Sequence, residues 1–103
     1  MNPISVTDAE SEVLSALWRR GALSYADLID EVKARQAWGD ATIKTLLNRL
    51  MRKGAVLSKK EDGRQRYHAL LSRRTYVDGS IQVLADRLFG GDKAALAAYL
   101  SDG

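Results

Sequence analysis

The sequence predicts a mainly α-helical fold with one small β-hairpin in a chain of 103 residues. Three observations predict this fold class. Apolar residues recur at helical spacing in successive segments, an Asp-Gly pair separates two segments of strand character, and glycines end the helical segments. Hydrophobic residues make up 46% of the chain and charged residues 28%, as in one small globular domain.

The first predicted helix covers about residues 8–20. Thr7 and Glu10 have the spacing of a capping box, in which each side chain accepts a hydrogen bond from the other residue's backbone amide. Gly21 follows the helix at a position where glycine is favoured, because it adopts a positive φ easily. Ala22-Leu23 is then expected to form a short extended link.

Two more helices are predicted before the hairpin. Ser24 is placed to cap the second helix, which we expect to end near Arg35. Asp40 is the expected cap of the third helix, which Gly54 closes. The apolar stripe of the second helix contains Tyr25, Leu28, Ile29 and Val32, and that of the third contains Ile43, Leu46, Leu47 and Leu50.

The hairpin follows the third helix. Residues 55–60 and 65–70 have strand character, and Asp62-Gly63 between them is a strong signal for a tight hairpin turn. Three helices followed by a two-stranded hairpin are the arrangement of a winged helix-turn-helix domain. We therefore predict that fold for the first part of the chain.

Helices are also predicted after the hairpin. Ser72 is placed to cap a fourth helix that runs to about Phe89, and an alanine-rich helix is expected from Asp92. The predicted organisation is a winged-helix DNA-binding domain at residues 1–71 and a C-terminal helical dimerisation region at residues 72–103.

Charge is unevenly distributed in a chain whose formal net charge is +3. Residues 1–40 hold four basic and seven acidic residues, residues 41–74 hold ten and two, and residues 75–103 hold two and four. Because the basic middle block repels itself within a folded domain, a polyanion is the partner that would relieve it. The third helix and the hairpin both lie in this block.

The third helix carries small and hydrogen-bonding residues opposite its apolar stripe, with cations towards its end. A helix that enters the major groove of DNA has this character, because short side chains allow close approach to the bases. A solvated cationic helix end would look similar, but the adjacent hairpin tip is basic as well. The predicted DNA contacts are Thr42, Lys44, Thr45, Asn48, Arg49 and Arg52 on the helix and Lys59, Lys60, Arg64 and Arg66 on the hairpin.

Double-stranded DNA is favoured over RNA as the nucleic acid. RNA-binding modules stack unpaired bases on exposed aromatic side chains. Here Trp18 and Tyr25 are expected on buried helix faces, and Tyr67 lies on a half-buried strand. The alternative is a winged-helix module that binds an acidic protein surface, since the fold alone does not decide the partner.

The residue inventory argues against an enzyme. The chain has no cysteine, which excludes disulfides and thiolate sites and suits a reducing cytoplasm. His68, the only histidine, has no carboxylate at the spacing of a metal site or catalytic triad. We predict no catalytic residue, metal or cofactor. No signal peptide is recognisable, and the longest apolar run, residues 94–100, is too short to span a membrane, so we expect a soluble cytoplasmic protein.

The C-terminal helices carry apolar residues that must be buried against another surface. Val77, Ile81, Leu84 and Leu88 are spaced four, three and four residues apart, as in a helix that packs against another helix. The stripe could dock on its own domain, but that domain already has partners for its apolar faces, so we expect a homodimer. The predicted interface is Tyr76, Val77, Ile81, Leu84, Leu88, Phe89, Leu96, Tyr99 and Leu100.

The stretch from Thr42 to Leu50 (TIKTLLNRL), followed by Lys53-Gly54, resembles the recognition helix of the penicillinase repressor family of BlaI/MecI/CopY type. The likeness extends over about residues 4–100. Further matching positions are Asp8-Ala9-Glu10, Val13, Leu17-Trp18, Trp38, Tyr67, Leu70, Ser72, Arg73, Tyr76-Val77 and Leu88-Phe89-Gly90-Gly91.

This resemblance implies a homodimeric winged-helix repressor that binds an operator dyad. Carried over by position, Lys44 and Thr45 would contact base edges, while Thr42, Arg49 and the hairpin cations would hold phosphates. Members of the family usually continue for a further helix, so a chain that stops at Gly103 implies a short member or a truncated one.

The resemblance also bears on the inducing signal. The copper-sensing branch uses C-terminal cysteines, which are absent here, so copper sensing through thiolates is excluded. In the β-lactam branch, a membrane sensor protease cuts an Asn-Phe bond in the dimerisation region. The corresponding position is Ala98-Tyr99, which does not match, so an upstream sensor protease is not supported as a partner.

Overall fold

The computed structural model describes residues 4–102. They divide into two compact units, with the boundary between Ser72 and Arg73. The predicted mainly helical fold class with one hairpin is confirmed. In chain order the elements are α1 (Asp8–Arg20), α2 (Tyr25–Lys33), α3 (Asp40–Arg52), β1 (Val56–Glu61), β2 (Arg64–Ala69), α4 (Arg73–Leu88) and α5 (Lys93–Asp102).

α1 and α2 begin at the caps that the sequence predicts. The Thr7 hydroxyl accepts a hydrogen bond from the Glu10 amide at 3.1 Å, and the Glu10 carboxylate accepts one from the Thr7 amide at 2.9 Å. The Ser24 hydroxyl caps α2 by accepting a hydrogen bond from the Asp27 amide at 3.2 Å. α2 ends at Lys33, slightly before the predicted end near Arg35. Local capping chemistry therefore determines both helix starts.

The start of α3 differs from the prediction. The cap is Gly39, which makes no side-chain hydrogen bond, and Asp40 is the first helical residue. The Asp40 carboxylate forms an ion pair with Lys33 at the end of α2. The carboxylate therefore points to the preceding helix and accepts no hydrogen bond from the amides of the first turn of α3.

The hairpin forms as predicted and gains one extra connection. β1 and β2 pair antiparallel in a register that ends with Glu61 opposite Arg64. Asp62-Gly63 makes the turn with φ values of 51° and 76°, the positive values that a tight hairpin turn of this type requires. Leu23, in the predicted extended link, exchanges two backbone hydrogen bonds with Tyr67, at 2.8 and 3.2 Å.

The first unit has one apolar core, to which α1, α2, α3 and β1 contribute. Trp18 packs against it, and the Trp18 indole N–H donates to the Leu71 carbonyl at 2.9 Å. Tyr25 was expected on a buried face but is 36% exposed, with its ring 6.3 Å from that of Tyr67. The core residues are Val13, Leu14, Ala16, Leu17, Leu23, Leu28, Ile29, Val32, Ile43, Leu46, Leu47, Leu50, Ala55 and Val56.

The second unit consists of α4 and α5, and it buries little apolar surface. Asp92 caps α5 by accepting from the Ala95 amide at 3.1 Å, so the helix begins at Lys93, one residue after the predicted start. Leu96 was predicted to lie in the dimer interface. It is only 6% exposed, so other residues of its own chain already cover it. Of the other predicted interface residues, Ile81, Leu84, Leu88, Tyr99 and Leu100 are exposed, and Tyr76, Val77 and Phe89 are half-buried.

None of the helices among residues 4–102 is long and apolar enough to cross a membrane.

Candidate nucleic-acid interface

α3 separates an apolar face from a polar one. Its apolar stripe is buried in the core and holds the helix in place, while the opposite face is open to solvent. The predicted contact residues on α3 are all exposed: Thr42, Lys44, Thr45, Asn48, Arg49 and Arg52. The helix therefore offers short hydrogen-bonding side chains along one half of its open face and cations along the other.

The polar side chains of this face have free hydrogen-bonding capacity. The Thr45 hydroxyl donates to the Ala41 carbonyl at 3.0 Å, so its oxygen remains able to accept. Thr42 and Asn48 make no side-chain hydrogen bond with any residue among 4–102. Such groups can pair with base edges or phosphates that approach the helix.

The wing, which we define as β1, β2 and the turn between them, carries cations on both faces. Alternation along the strands places Lys59 and Arg66 opposite each other on one face, with Arg64 further towards the tip. Lys60 lies opposite Gln65 on the other face. Arg66 is half-buried and the other three cations are exposed. Cations therefore flank the wing tip on both faces, beside the carboxylates of Glu61 and Asp62.

The cations of α3 and the wing lack ionic partners in the part of the chain that the structure describes. None of them forms an ion pair with any other residue that the structure describes. We call this set the outer cations: Lys44, Arg49, Arg52, Lys59, Lys60, Arg64 and Arg66. Their concentration on two consecutive elements makes this surface the candidate site for a polyanion.

Four of the five other basic residues of the first unit are paired with carboxylates, and Arg35 is the exception among the residues that the structure describes. Arg19 and Arg20 of α1 contact Glu31 of α2 at 3.2 and 3.0 Å, and Lys33 contacts Asp40. The hydrogen bond from Arg20, with that from Arg19, lowers the pKa of Glu31 despite partial desolvation. These ion pairs link neighbouring helices, so their cations are already neutralised within the protein.

Lys53, just after α3, has a structural role that the sequence did not predict. Its ammonium group donates to the Glu10 carboxylate at 2.6 Å and to the Ser5 carbonyl at 2.8 Å. Glu10 is 1% exposed, and burial alone would raise its pKa, but the hydrogen bonds from Lys53 and Thr7 outweigh burial and lower the pKa. The link fixes the end of α3 to the beginning of α1.

An open cleft of about 320 Å³ lies beside the end of α3, lined by Arg49, Arg52 and Lys53. Since Lys53 is engaged by Glu10, the two arginines supply the free positive charge of the cleft. Across residues 4–102, no group of three His, Asp or Glu side chains is arranged to hold a metal ion. The site is thus suited to electrostatic and hydrogen-bonding recognition of an anion.

The chain matches the protein-family model described as penicillinase repressor over residues 6–103. The chain belongs to the penicillinase repressor family. The prediction of this family is therefore confirmed. Proteins of the penicillinase repressor family are transcriptional repressors and not enzymes, so family membership also confirms the non-enzyme prediction.

Two curated proteins that resemble this chain are longer than it is. An uncharacterized 16.5 kDa protein in the ptsI 3′ region of Latilactobacillus sakei is 35% identical over 101 residues, covering 98% of this chain and 69% of that protein. The penicillinase repressor of Bacillus licheniformis is 28% identical over 86 residues, covering 84% and 67%. This chain thus spans about two thirds of the length of each.

A solved structure of the family has the same fold. It is the monomeric form of Bacillus licheniformis BlaI in complex with the blaP half-operator, and it superposes with a TM-score of 0.66 and 31% identity. The match covers 74% of this chain and 94% of the BlaI chain. This likeness supports the winged-helix assignment of the first unit.

Proposed function

We propose that this protein is a transcriptional repressor that binds double-stranded operator DNA as a homodimer. The observation that carries the proposal is the set of outer cations on α3 and the wing, which no described carboxylate neutralises. A buried apolar stripe fixes α3, so its exposed face can enter a major groove without rearrangement of the core. The BlaI structure on half-operator DNA supports the same use of this fold.

The residues of the interface divide into two roles in this proposal. Lys44 and Thr45 lie on the open face of α3 and would contact base edges, which carry the sequence information. Thr42 and Arg49, together with the wing cations, would hold phosphates and set the register of the protein on the duplex. Asn48 and Arg52 complete the contact surface on α3.

The exposed stripe of α4 supports the homodimer. Ile81, Leu84 and Leu88 project from one side of the helix and remain 39 to 64% exposed in the single chain. Pairing two such stripes around a two-fold axis would cover them and give the protein two copies of α3 for an operator dyad, whose half-sites are typically one helical turn apart. A cytoplasmic location, which fits a DNA target and the cysteine-free sequence, is part of the proposal.

Fluorescence anisotropy with the gene's own upstream region tests the proposal. The titration is run against random competitor duplex, at several protein concentrations and between about 50 and 200 mM salt, where phosphate contacts lose orders of magnitude in affinity. We expect tight, competitor-resistant and strongly salt-dependent binding that is second order in monomer.

Other outcomes of this titration would change the proposal. Equal, weak binding to every duplex would contradict operator recognition at that region. An absence of binding even at low salt would contradict the DNA function and favour the acidic protein surface as the partner of the outer cations.

A further inference from the structure

The wing contains one carboxylate that is held by a histidine. Glu61, the last residue of β1, shares a hydrogen bond with the imidazole Nε2 of His68 in β2. Both side chains are partly buried, at 38 and 33% exposure. His68 is the only histidine of the chain, and the proposed DNA contacts do not include it.

The register of the hairpin makes this pairing unexpected. The direct cross-strand partner of Glu61 is Arg64, whereas His68 is opposite Leu57, four residues before Glu61. All four share one face of the wing with Lys59 and Arg66. A glutamate beside three cations would ordinarily pair with one of them, yet Glu61 forms no ion pair with Lys59, Arg64 or Arg66 in the part of the chain described.

The geometry points to His68 as a positioning residue for DNA binding. We propose that His68 draws the Glu61 carboxylate towards the base of the wing and so leaves Arg64 and Lys59 free for phosphates. Without this hydrogen bond, the carboxylate turns to Arg64, its cross-strand neighbour, and neutralises the wing tip. The inference deepens the DNA-binding proposal and rests on it, because it concerns the charge that the wing presents to a duplex.

The neighbouring Asp62 provides a matched comparison. It carries the same charge as Glu61 and is adjacent in sequence, but it occupies the hairpin turn with a φ of 51° and is exposed. It has no hydrogen bond or ion pair with any residue in the described range. Replacing Asp62 by Asn keeps a residue that tolerates a positive φ and removes one negative charge that His68 does not control.

The test measures duplex affinity and its salt dependence for a set of full-chain variants. We expect His68→Ala to weaken binding to specific and random duplexes alike by about five-fold, and to reduce the salt slope by about one phosphate contact. His68→Gln keeps an N–H donor and should retain most of the affinity. Glu61→Asp, which keeps the charge but shortens its reach, should behave like His68→Ala.

The double variants separate this mechanism from a direct contact. If His68 acts through Glu61, adding Glu61→Gln to His68→Ala restores the affinity and salt slope, and Glu61→Gln alone changes them less than about two-fold. Adding Asp62→Asn to His68→Ala restores neither. A loss that persists in the Glu61→Gln, His68→Ala protein would overturn the proposal, because His68 would then contact the DNA itself or support the wing.

Two further outcomes are decisive. Unchanged affinity and salt slope in both His68→Ala and Glu61→Asp would also overturn the proposal, while leaving the DNA-binding function intact. If the unmodified protein shows no salt-dependent duplex binding, the proposed function itself fails. Glu61→Asp keeps the test valid even if His68→Ala does not fold, and the thermal midpoint of each variant reports on folding.

Discussion

The two units of this protein leave different groups without partners. The first, up to Ser72, buries its apolar side chains in one core but has outer cations that no described carboxylate neutralises. The second, from Arg73 to Asp102, buries only Ala85 and Leu96 among the apolar residues that the structure describes.

This difference indicates two kinds of missing partner. Unpaired positive charge around a well-packed domain is relieved by a polyanion, whereas uncovered leucines on a helix are relieved by another apolar surface. The first unit has a packed apolar core, but no described carboxylate neutralises its outer cations. The second leaves the apolar side chains of Ile81, Leu84 and Leu88 exposed in the single chain. In the proposed function, DNA would meet the first need and a second copy of the protein the second.

The largest effect should come from breaking the core of the first unit. Leu47 of α3 is fully buried, so Leu47→Ala should destabilise the protein by about 3 kcal/mol through lost burial and the cavity left behind. Leu70→Ala removes the same atoms from an exposed position and should cost less than about 0.5 kcal/mol. Denaturant unfolding measures both, and equal costs would contradict the packing described for α3.

Next in size is the loss of the proposed dimer. Leu84→Glu puts a charge in the exposed stripe of α4, and we expect affinity for a dyad operator to fall about 50-fold, while half-site affinity is unchanged. Val83→Glu makes a similar change on another side of the same helix, at an even more exposed residue, and should have little effect. Sedimentation and dyad binding check the pair. A dimer that survives Leu84→Glu would place the interface elsewhere.

A smaller effect should separate two of the outer cations. Lys44→Ala should weaken operator binding about ten-fold while changing random-duplex binding far less, because a base contact carries sequence information. Arg64→Ala should weaken both by about five-fold, as a phosphate contact does. Anisotropy titrations with the two duplexes provide the comparison. Equal losses on both duplexes for Lys44→Ala would remove Lys44 from the base-contacting role.

The smallest expected effect concerns the buried ion pair of the first unit. Glu10→Gln should cost about 1 kcal/mol at pH 7, since Lys53 remains partly exposed and screened by water. The folded-state pKa of Glu10 is lowered from its ordinary value of 4.5, so its stabilisation is present above that value. It is lost as the pH falls through the lower folded-state pKa.

Unfolding measured across pH checks this prediction. The difference in stability between the unmodified protein and Glu10→Gln should be largest near neutral pH and should narrow below pH 4.5. Glu31→Gln is the control, because Glu31 also has a lowered pKa but pairs with arginines at the surface, and its effect should be smaller. A difference that widens in acid would contradict the stabilised Glu10 carboxylate.

Elements with local causes could be predicted from the sequence. The capping box at Thr7, the cap at Ser24 and the Asp62-Gly63 turn each depend on residues within one turn of chain, and all three form as predicted. The buried stripe of α3 follows from helical periodicity in the same way. The position of the basic surface could also be predicted, because the basic residues are concentrated at positions 41–74 of the sequence.

Which charged side chains form ion pairs within the protein could be seen only in the folded structure. Lys53 and Glu10 are 43 residues apart, and neither residue type nor spacing indicates that they meet. Asp40 was expected to cap its own helix, but Lys33 of α2 pairs with it. Leu96, expected at the interface, is covered within its own chain. Contacts across such separations depend on how the elements pack in space, because a side chain binds the nearest available partner, which local pattern does not specify.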